Sequence, residues 1–375
     1  MTKALSLHKK LKGKIVIGSK LPALSPRELS LIYTPGVAEV VRYISEKSSR
    51  VYDVTIKANT VAVVTDGSAV LGLGNVGAQA SLPVMEGKCA LFSLLAGINA
   101  FPICLATQDA HQIVQTIRYL APVFGGINLE DIAAPKCFEI EGELQDLGIP
   151  VVHDDQHATA IVVLAGLINA VKVVDKNLKK CKIVIVGAGA AGNAVTKLLH
   201  AYGCKRLIVV DSHGIISSKR RDLDIYKTFL GTLSNLKNLS GNIEDACQNA
   251  DILIGVSKRG LFTSPVMQAL NKNAIVFALA NPDPEILPDE AKKQGVAIVA
   301  TGRNDFPNQV NNALVFPGLF KGLLKSRKTA LTDELKLTSA IALASLVPNP
   351  TPEKIIPSLF DKNVVPTITR AIVQS

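Results

Sequence analysis

The chain has 375 residues, more than one typical domain, with 48% hydrophobic side chains, no Trp and 5% aromatics, so its core must be aliphatic, as in parallel α/β sheets buried on both faces. The formal charge of +10 is dispersed over Lys9–Lys14, Lys176–Lys182, Lys219–Arg221 and Lys321–Lys328 without interleaved aromatics, which argues against nucleic acid as a partner. No apolar signal core follows Met1, and the six cysteines form no C-x-x-C pair, so reduced thiols in a cytoplasm are expected.

The predicted elements begin with a Pro-Gly turn at Tyr33-Thr-Pro-Gly-Val-Ala38 and a strand at Thr60–Thr65. Gly72-Leu-Gly-Asn-Val-Gly77 then matches the spacing of a dinucleotide loop. Pro83 falls early in any helix that would follow, and no strand-ending acid lies at the right distance, so the loop is assigned another job. Lys88 closes the segment Val84-Met-Glu-Gly-Lys88. A lysine beside an apolar helix is more often structural, although a buried one with a lowered pKa can act as a base.

The apolar run Cys89–Thr107 is divided by Gly97, Asn99 and Pro102 into a helix and a short strand, and no membrane span is expected. A helix is predicted over Gln112–Leu120. Two acidic clusters follow, Asn128-Leu-Glu-Asp-Ile132 and His153-Asp-Asp-Gln-His157. Adjacent carboxylates repel, so either a hard divalent cation, Mg²⁺ or Mn²⁺, neutralises them, or Glu130 and Asp131 simply favour the first turn of a helix. Residue types alone leave these readings even. His153 and His157 lack the third soft ligand and the intervening Glu of a zinc pair, and read as structural histidines.

After a nearly all-apolar helical stretch, Ala158 to Val174, comes the strongest local signal. Lys182-Ile-Val-Ile-Val-Gly-Ala-Gly-Ala-Ala-Gly192, a helix pattern and Arg206-Leu-Ile-Val-Val-Asp211 read as strand, glycine turn, helix, strand and acid. Gly187 permits the turn, Gly189 lets the backbone approach a pyrophosphate, and Gly192 lets helix and sheet pack closely. The diphosphate would lie on the helix N-terminus. Asp211, nineteen residues after Gly192, is placed for ribose hydroxyls and favours NAD. Lys219, Arg220 and Arg221 downstream leave NADP possible.

Further strands at Ile252–Val256, Ala274–Ala278 and Val296–Ala300 complete a doubly wound parallel sheet. The loops at Ser257, Asn281 and Gly302 should face the cofactor from the carboxyl ends of those strands. The tail from Thr329 is expected to be helical and to pack back on one of two domains.

Taken in order, Tyr33–Ala38, Val70–Gly77, Pro83–Lys88, Gly125-Gly-Ile-Asn-Leu-Glu-Asp-Ile132, Cys137-Phe-Glu-Ile-Glu141, His153–His157, Asn281-Pro-Asp-Pro-Glu285 and Pro307-Asn-Gln-Val-Asn-Asn312 resemble the malic enzymes of the short bacterial type. The resemblance implies an N-terminal α/β substrate and dimerisation domain over 1–157 and a Rossmann-type NAD-binding domain with a helical tail over 158–375. It implies oxidative decarboxylation of L-malate to pyruvate and CO₂ with reduction of NAD⁺. By the same resemblance Tyr33 is the general acid and Lys88 the general base, with Asp154 supporting the lysine. Glu130, Asp131 and Asp155 match ligands of Mg²⁺ or Mn²⁺. Asn281, Asn311 and Asn312 match substrate and nicotinamide positions, and a homodimer is implied. The chain departs from the family at Ala158, where Gly is usual, and at Asn304 and Phe306. Two rivals share parts of this plan. An amino-acid dehydrogenase would need no paired acids, and a non-catalytic NAD(H)-binding regulator would need only the cofactor site.

Overall fold

The structure is a computed structural model describing residues 2–375. The chain opens with helices α1 (Lys3–Leu11), α2 (Pro26–Ile32), α3 (Val37–Glu46) and α4 (Val51–Val54). None of residues 2–56 is buried. A first set of elements follows: β1 (Thr60–Thr65), α5 (Gly77–Ala96), β2 (Asn99–Cys104), α6 (Ala110–Leu120), β3 (Gly126–Leu129), α7 (Lys136–Glu143) and β4 (Val151–His153). Its strands form a parallel sheet in the order β2-β1-β3-β4.

The long helix α8 (Asp154–Val173) leads into β5 (Ile183–Val186), α9 (Ala190–Tyr202), β6 (Leu207–Asp211), β7 (Gly214–Ile215), α10 (Ile225–Leu233), α11 (Ile243–Cys247) and β8 (Ala250–Gly255). Then come α12 (Ser264–Gln268), β9 (Leu270–Ala278), α13 (Pro288–Lys293) and β10 (Ile298–Thr301). These strands order as β10-β9-β8-β5-β6-β7, parallel except for the β6–β7 pair. The chain reverses direction across the sheet at β5, which is the switch point where ligands of Rossmann-type sheets bind.

Helices α14 (Phe316–Ser326), α15 (Asp333–Ser345) and α16 (Val364–Gln374) end the chain. They tie the halves together. Phe316 and Phe320 pack edge-on against Phe92 of α5 at 4.7 and 5.4 Å, and Asn169 of α8 donates to carbonyls of Ala344 and Ile355 at 2.9 and 3.0 Å. The tail therefore reaches the first sheet as well as the second. One apolar cluster runs through Phe92, Ile161, Ile185, Phe277 and Phe316, so the two sheets share a core.

Helix α8 has the length and hydropathy to cross a bilayer, yet 72% of its most apolar window is buried within the protein. It is the core helix on which both halves pack. The divided reading of Cys89–Thr107 matches: α5 ends at Gly97, whose positive φ of 65° closes the helix, and β2 follows. Pro83 does not prevent a helix after the first glycine loop. It lies inside α5, which starts at Gly77 and runs for 20 residues. The missing N–H removes one hydrogen bond, and the buried face formed by Met85, Lys88, Cys89 and Phe92 holds the helix through it.

Candidate active site

Lys88 lies on α5 with its side chain 7% exposed. Its ammonium donates to Asp154 Oδ2 at 2.6 Å, meets Glu130 Oε1 at 2.8 Å and sits 4.2 Å above the Phe316 ring. Three elements build this cluster. Glu130 follows β3, Asp154 and Asp155 form the first turn of α8, and the lysine reaches across from α5. The helix dipole favours acids at that turn, but burial of adjacent carboxylates does not.

The electrostatics follow from that conflict. Burial pushes the Glu130 carboxyl well above the usual carboxylate range, with Lys88 opposing, and burial likewise raises Asp154. For Lys88, burial alone would lower the ammonium, but Asp154, Glu130 and Asp155 outweigh it and push it up. The lysine is thus a cation in a carboxylate nest.

Carboxylate oxygens of Glu130, Asp154 and Asp155 all lie within 4.8 Å of one another, a spacing at which one cation can bind them together. Asp154 Oδ1 is buried without a hydrogen-bond partner among the described residues, as a donor set awaiting a cation would be. Asp131 enters differently. Its backbone N–H donates to Asp155 Oδ2 at 3.0 Å and its φ is +54°, so the chain turns sharply after Glu130. The next helix begins only at Lys136, so Glu130 and Asp131 do not sit in a helical first turn. The donor set, all hard oxygens, suits Mg²⁺ or Mn²⁺.

His157 Nε2 lies 2.8 Å from Glu141 Oε1, while both ring nitrogens of the fully buried His153 lack hydrogen-bond partners among the described residues. His153 Nδ1 is 3.9 Å from Asp155 Oδ2.

Lys88, Glu130, Asp131 and Asp155 line a cleft of about 1080 Å³ together with Gly189, Asn281, Asn311 and Asn312. A second cleft of about 670 Å³ continues from it past Gly189 and Ser257 to Gly187, Asp211, Tyr226 and Lys227. The first is walled by both halves of the molecule and the second runs along the glycine loop. Gly187 has φ of +117°, and a side chain on it would strike the Val256 carbonyl at 2.6 Å. A side chain on Gly192 would overlap the Gly187 carbonyl, whereas the space beside Gly189 is open to a ligand.

Asp211, at the end of β6, accepts from Arg220 Nη1 at 2.7 Å and Nη2 at 3.0 Å, from Lys227 Nζ at 3.0 Å and from the His213 amide at 2.9 Å. Burial alone would raise its carboxyl, but these donors hold it below the ordinary range. Arg220 also grips Asp222 at 2.9 and 2.6 Å. Of the basic run after Asp211, Arg220 is the member that meets the acid.

Tyr33 stands apart. Its side chain is 66% exposed, makes no hydrogen bond among the described residues and does not line the cleft. Sequence reasoning gave no role to Phe138, Tyr226 or Glu141. Phe138 of α7 packs on Tyr226 of α10 at 4.6 Å beside the cofactor cleft, a contact between distant segments. The Cys137–Glu141 motif was the available signal for both Phe138 and Glu141.

Residues 14–112 match the family described as malic enzyme, N-terminal domain, and residues 156–374 match malic enzyme, NAD binding domain. The chain is 48% identical to the bifunctional malic/malolactic enzyme of Bacillus subtilis, over 99% of this chain and 92% of that one. It is 49% identical to an NAD-dependent malic enzyme of Geobacillus stearothermophilus, over 97% and 76%. The crystal structure of the NAD-dependent malic enzyme from Thermotoga maritima superposes with a TM-score of 0.96 at 44% identity, covering 100% of this chain and 99% of that one. With both halves matching its two domains, the chain belongs to the malic enzyme family.

Proposed function

We propose that the chain is a cytoplasmic, NAD-dependent malic enzyme that converts L-malate and NAD⁺ to pyruvate, CO₂ and NADH, with residues 1–157 as its substrate domain and 158–375 as its cofactor domain. The observation that carries this reading is the Lys88 ammonium held by Asp154 and Glu130 at the end of a cleft that continues along the glycine loop. An amino-acid dehydrogenase has no use for three converging acids, two of them buried, and a regulator that only binds NAD(H) has no use for the lysine.

Glu130, Asp131 and Asp155, with Asp154 beside them, would hold Mg²⁺ or Mn²⁺, which would supply positive charge for the oxyanion chemistry at C2 and offset the carboxylates that keep Lys88 protonated. Gly187, Gly189 and Gly192 would hold NAD⁺, which would supply the hydride acceptor for C2.

The remaining work belongs to the chain. Lys88 takes the proton of the C2 hydroxyl. Asn281, Asn311 and Asn312 orient the substrate and the nicotinamide amide in the cleft. Tyr33 delivers a proton to C3 after the C4 carboxylate leaves as CO₂. Lys88 gains one proton and Tyr33 loses one, so transfer between them restores the starting state.

Tyr33 can do this only if something carries it to a cleft. Residues 2–56 expose Leu5, Leu7, Leu11, Leu24, Leu31, Ile32 and Val41, a run of apolar side chains with no core of its own. Such a surface calls for cover. A homodimer, in which each copy covers the other's arm and Tyr33 serves a cleft at the interface, accounts for both facts.

Arg220 neutralises Asp211, so NADP⁺ is expected as a weaker second cofactor. The test is NADH formation from L-malate with Mn²⁺, with pyruvate quantified, repeated with chelator and with NADP⁺. Metal-dependent pyruvate equal to the NADH formed is the expected result. NADH binding without turnover, or turnover that survives the chelator, rejects the reading.

A further inference from the structure

We infer that Glu141 is a positioning residue for the cation site, acting from α7 on the turn that carries Asp154 and Asp155. Its carboxylate is 12% exposed and engages three groups that bracket those two acids in sequence. Oε1 accepts from the His153 backbone N–H at 2.9 Å and lies 2.8 Å from His157 Nε2, and Oε2 accepts from the Gln156 side chain at 3.0 Å.

The local pattern explains why the turn needs this. His153 is the N-cap of α8, and its side chain makes no capping hydrogen bond. In a capping box, the acid or amide three residues into the helix bonds back to the N-cap N–H. Here that third residue is Gln156, and its amide is turned to Glu141 instead. Glu141 supplies from another helix the carboxylate that the box lacks. It ties the N-cap backbone, Gln156 and His157 into one rigid unit.

The same turn is a wall between two cavities. Asp155 and Thr159 face the active-site cleft, whereas Gln156, His157 and Ala160 face a separate cavity of about 570 Å³ that Glu141 also lines. Glu141 thus braces the turn from behind. Without the brace, repulsion between Asp154 and Asp155 is free to splay the turn, and the acids lose the spacing that one cation requires. Burial alone would raise the Glu141 carboxyl, but the neighbouring His157 and His153 bring it down to about 2, so the acceptor is fully charged near neutral pH. Partners that orient ligand-bearing segments typically contribute about 10–100-fold to metal affinity.

This inference rests on the reading of the acids as a cation site, and the experiment separates the two. Mn²⁺ binding to full-length protein, without substrate, is measured by the electron-paramagnetic-resonance signal of free Mn²⁺ for wild type, Glu141→Gln, Glu141→Ala and Gln156→Leu. NADH binding is titrated in parallel. Glu141→Ala is expected to raise the Mn²⁺ Kd by about 10–100-fold, Glu141→Gln by about tenfold and the milder Gln156→Leu by about threefold. NADH affinity should stay within about twofold, because Glu141 lines neither the glycine loop nor the Asp211 pocket. Equal Mn²⁺ affinity in wild type and all variants overturns the positioning role alone. So does a loss of NADH binding that parallels the loss of Mn²⁺ in Glu141→Ala and Glu141→Gln, which would mark a general structural defect. Absence of Mn²⁺ binding to wild type overturns the cation site and this inference with it.

Discussion

Lys88 and Tyr33, the two groups assigned to move protons, stand in opposite surroundings. Lys88 is 7% exposed and held by acids from two other segments, all within one chain. Tyr33 is 66% exposed, on an arm where nothing is buried. On the proposed roles, a single chain assembles the base, the acids that would host a cation and the cofactor loop, and leaves the general acid outside. The proposed reaction thus divides into a half whose groups meet within one chain and a half that needs a surface to cover the arm.

The largest effect should come from the complete half. Lys88→Ala is expected to lower kcat for malate oxidation by about 10²–10⁴-fold. It also strips the counter-charge from Glu130 and Asp154, and breaking a buried pair typically costs about 3–5 kcal/mol. The variant should therefore melt well below wild type in chelator and recover much of that loss in Mn²⁺. Thermal unfolding with and without Mn²⁺ checks this. A variant as stable as wild type in chelator would mean that the acids do not depend on the lysine.

Tyr33→Phe should lower kcat by about 10²-fold with almost no change in unfolding, since the side chain is 66% exposed and makes no hydrogen bond among the described residues. Mixing the two inactive variants sharpens the comparison. If Tyr33 serves the partner's cleft, random re-pairing gives half mixed dimers, each with one intact site, and activity should return to about a quarter of wild type. No recovery after subunit exchange would place Tyr33 and Lys88 in the same chain's site.

Leu31→Glu addresses the cover itself. Leu31 is 62% exposed beside Tyr33, and a buried charge at an interface is strongly disfavoured. Sedimentation should show dissociation, with loss of turnover similar to Tyr33→Phe and intact NADH binding. A dimer that persists would move the interface elsewhere.

The same division explains what the sequence disclosed. The strand, glycine turn and acid from Lys182 to Asp211 were readable because each signal is local, a period of side chains or a backbone position that only glycine tolerates. The first glycine loop was correctly set apart, but for a partly mistaken reason. Pro83 sits within α5, and what distinguishes the loop is the next strand, since β2 ends at Cys104 whereas β6 ends at Asp211. Glu130 and Asp131 stayed ambiguous between a helix turn and a cation site until β3 and α8 brought Glu130 beside Asp154 and Asp155. Glu141 had no readable role, because its partners, twelve to sixteen residues onward, meet it only after α7 folds against the start of α8. Motif resemblance gave roles to the acids and reached Glu141 through Cys137–Glu141 without assigning it one.

The smallest expected effect lies at the far end of the complete half. Asp211 accepts four hydrogen bonds, so its charge is already shared with Arg220 and Lys227 before any ribose arrives. Asp211→Asn removes the charged acceptor for the ribose hydroxyls, and a hydrogen bond to a charged group contributes about 1.5–3 kcal/mol. Because that contribution is divided among existing donors, the NADH Kd should rise by no more than about tenfold, or about 1.4 kcal/mol. The change also frees Arg220 and Lys227 to meet a 2′-phosphate, so NADPH should bind as well as before or tighter. The effect should be the same in the dimer and in dissociated Leu31→Glu protein, because every group involved belongs to one chain. Equal weakening of NADH and NADPH would show instead that Asp211 acts by holding Arg220 and Lys227 in place, rather than by selecting the ribose.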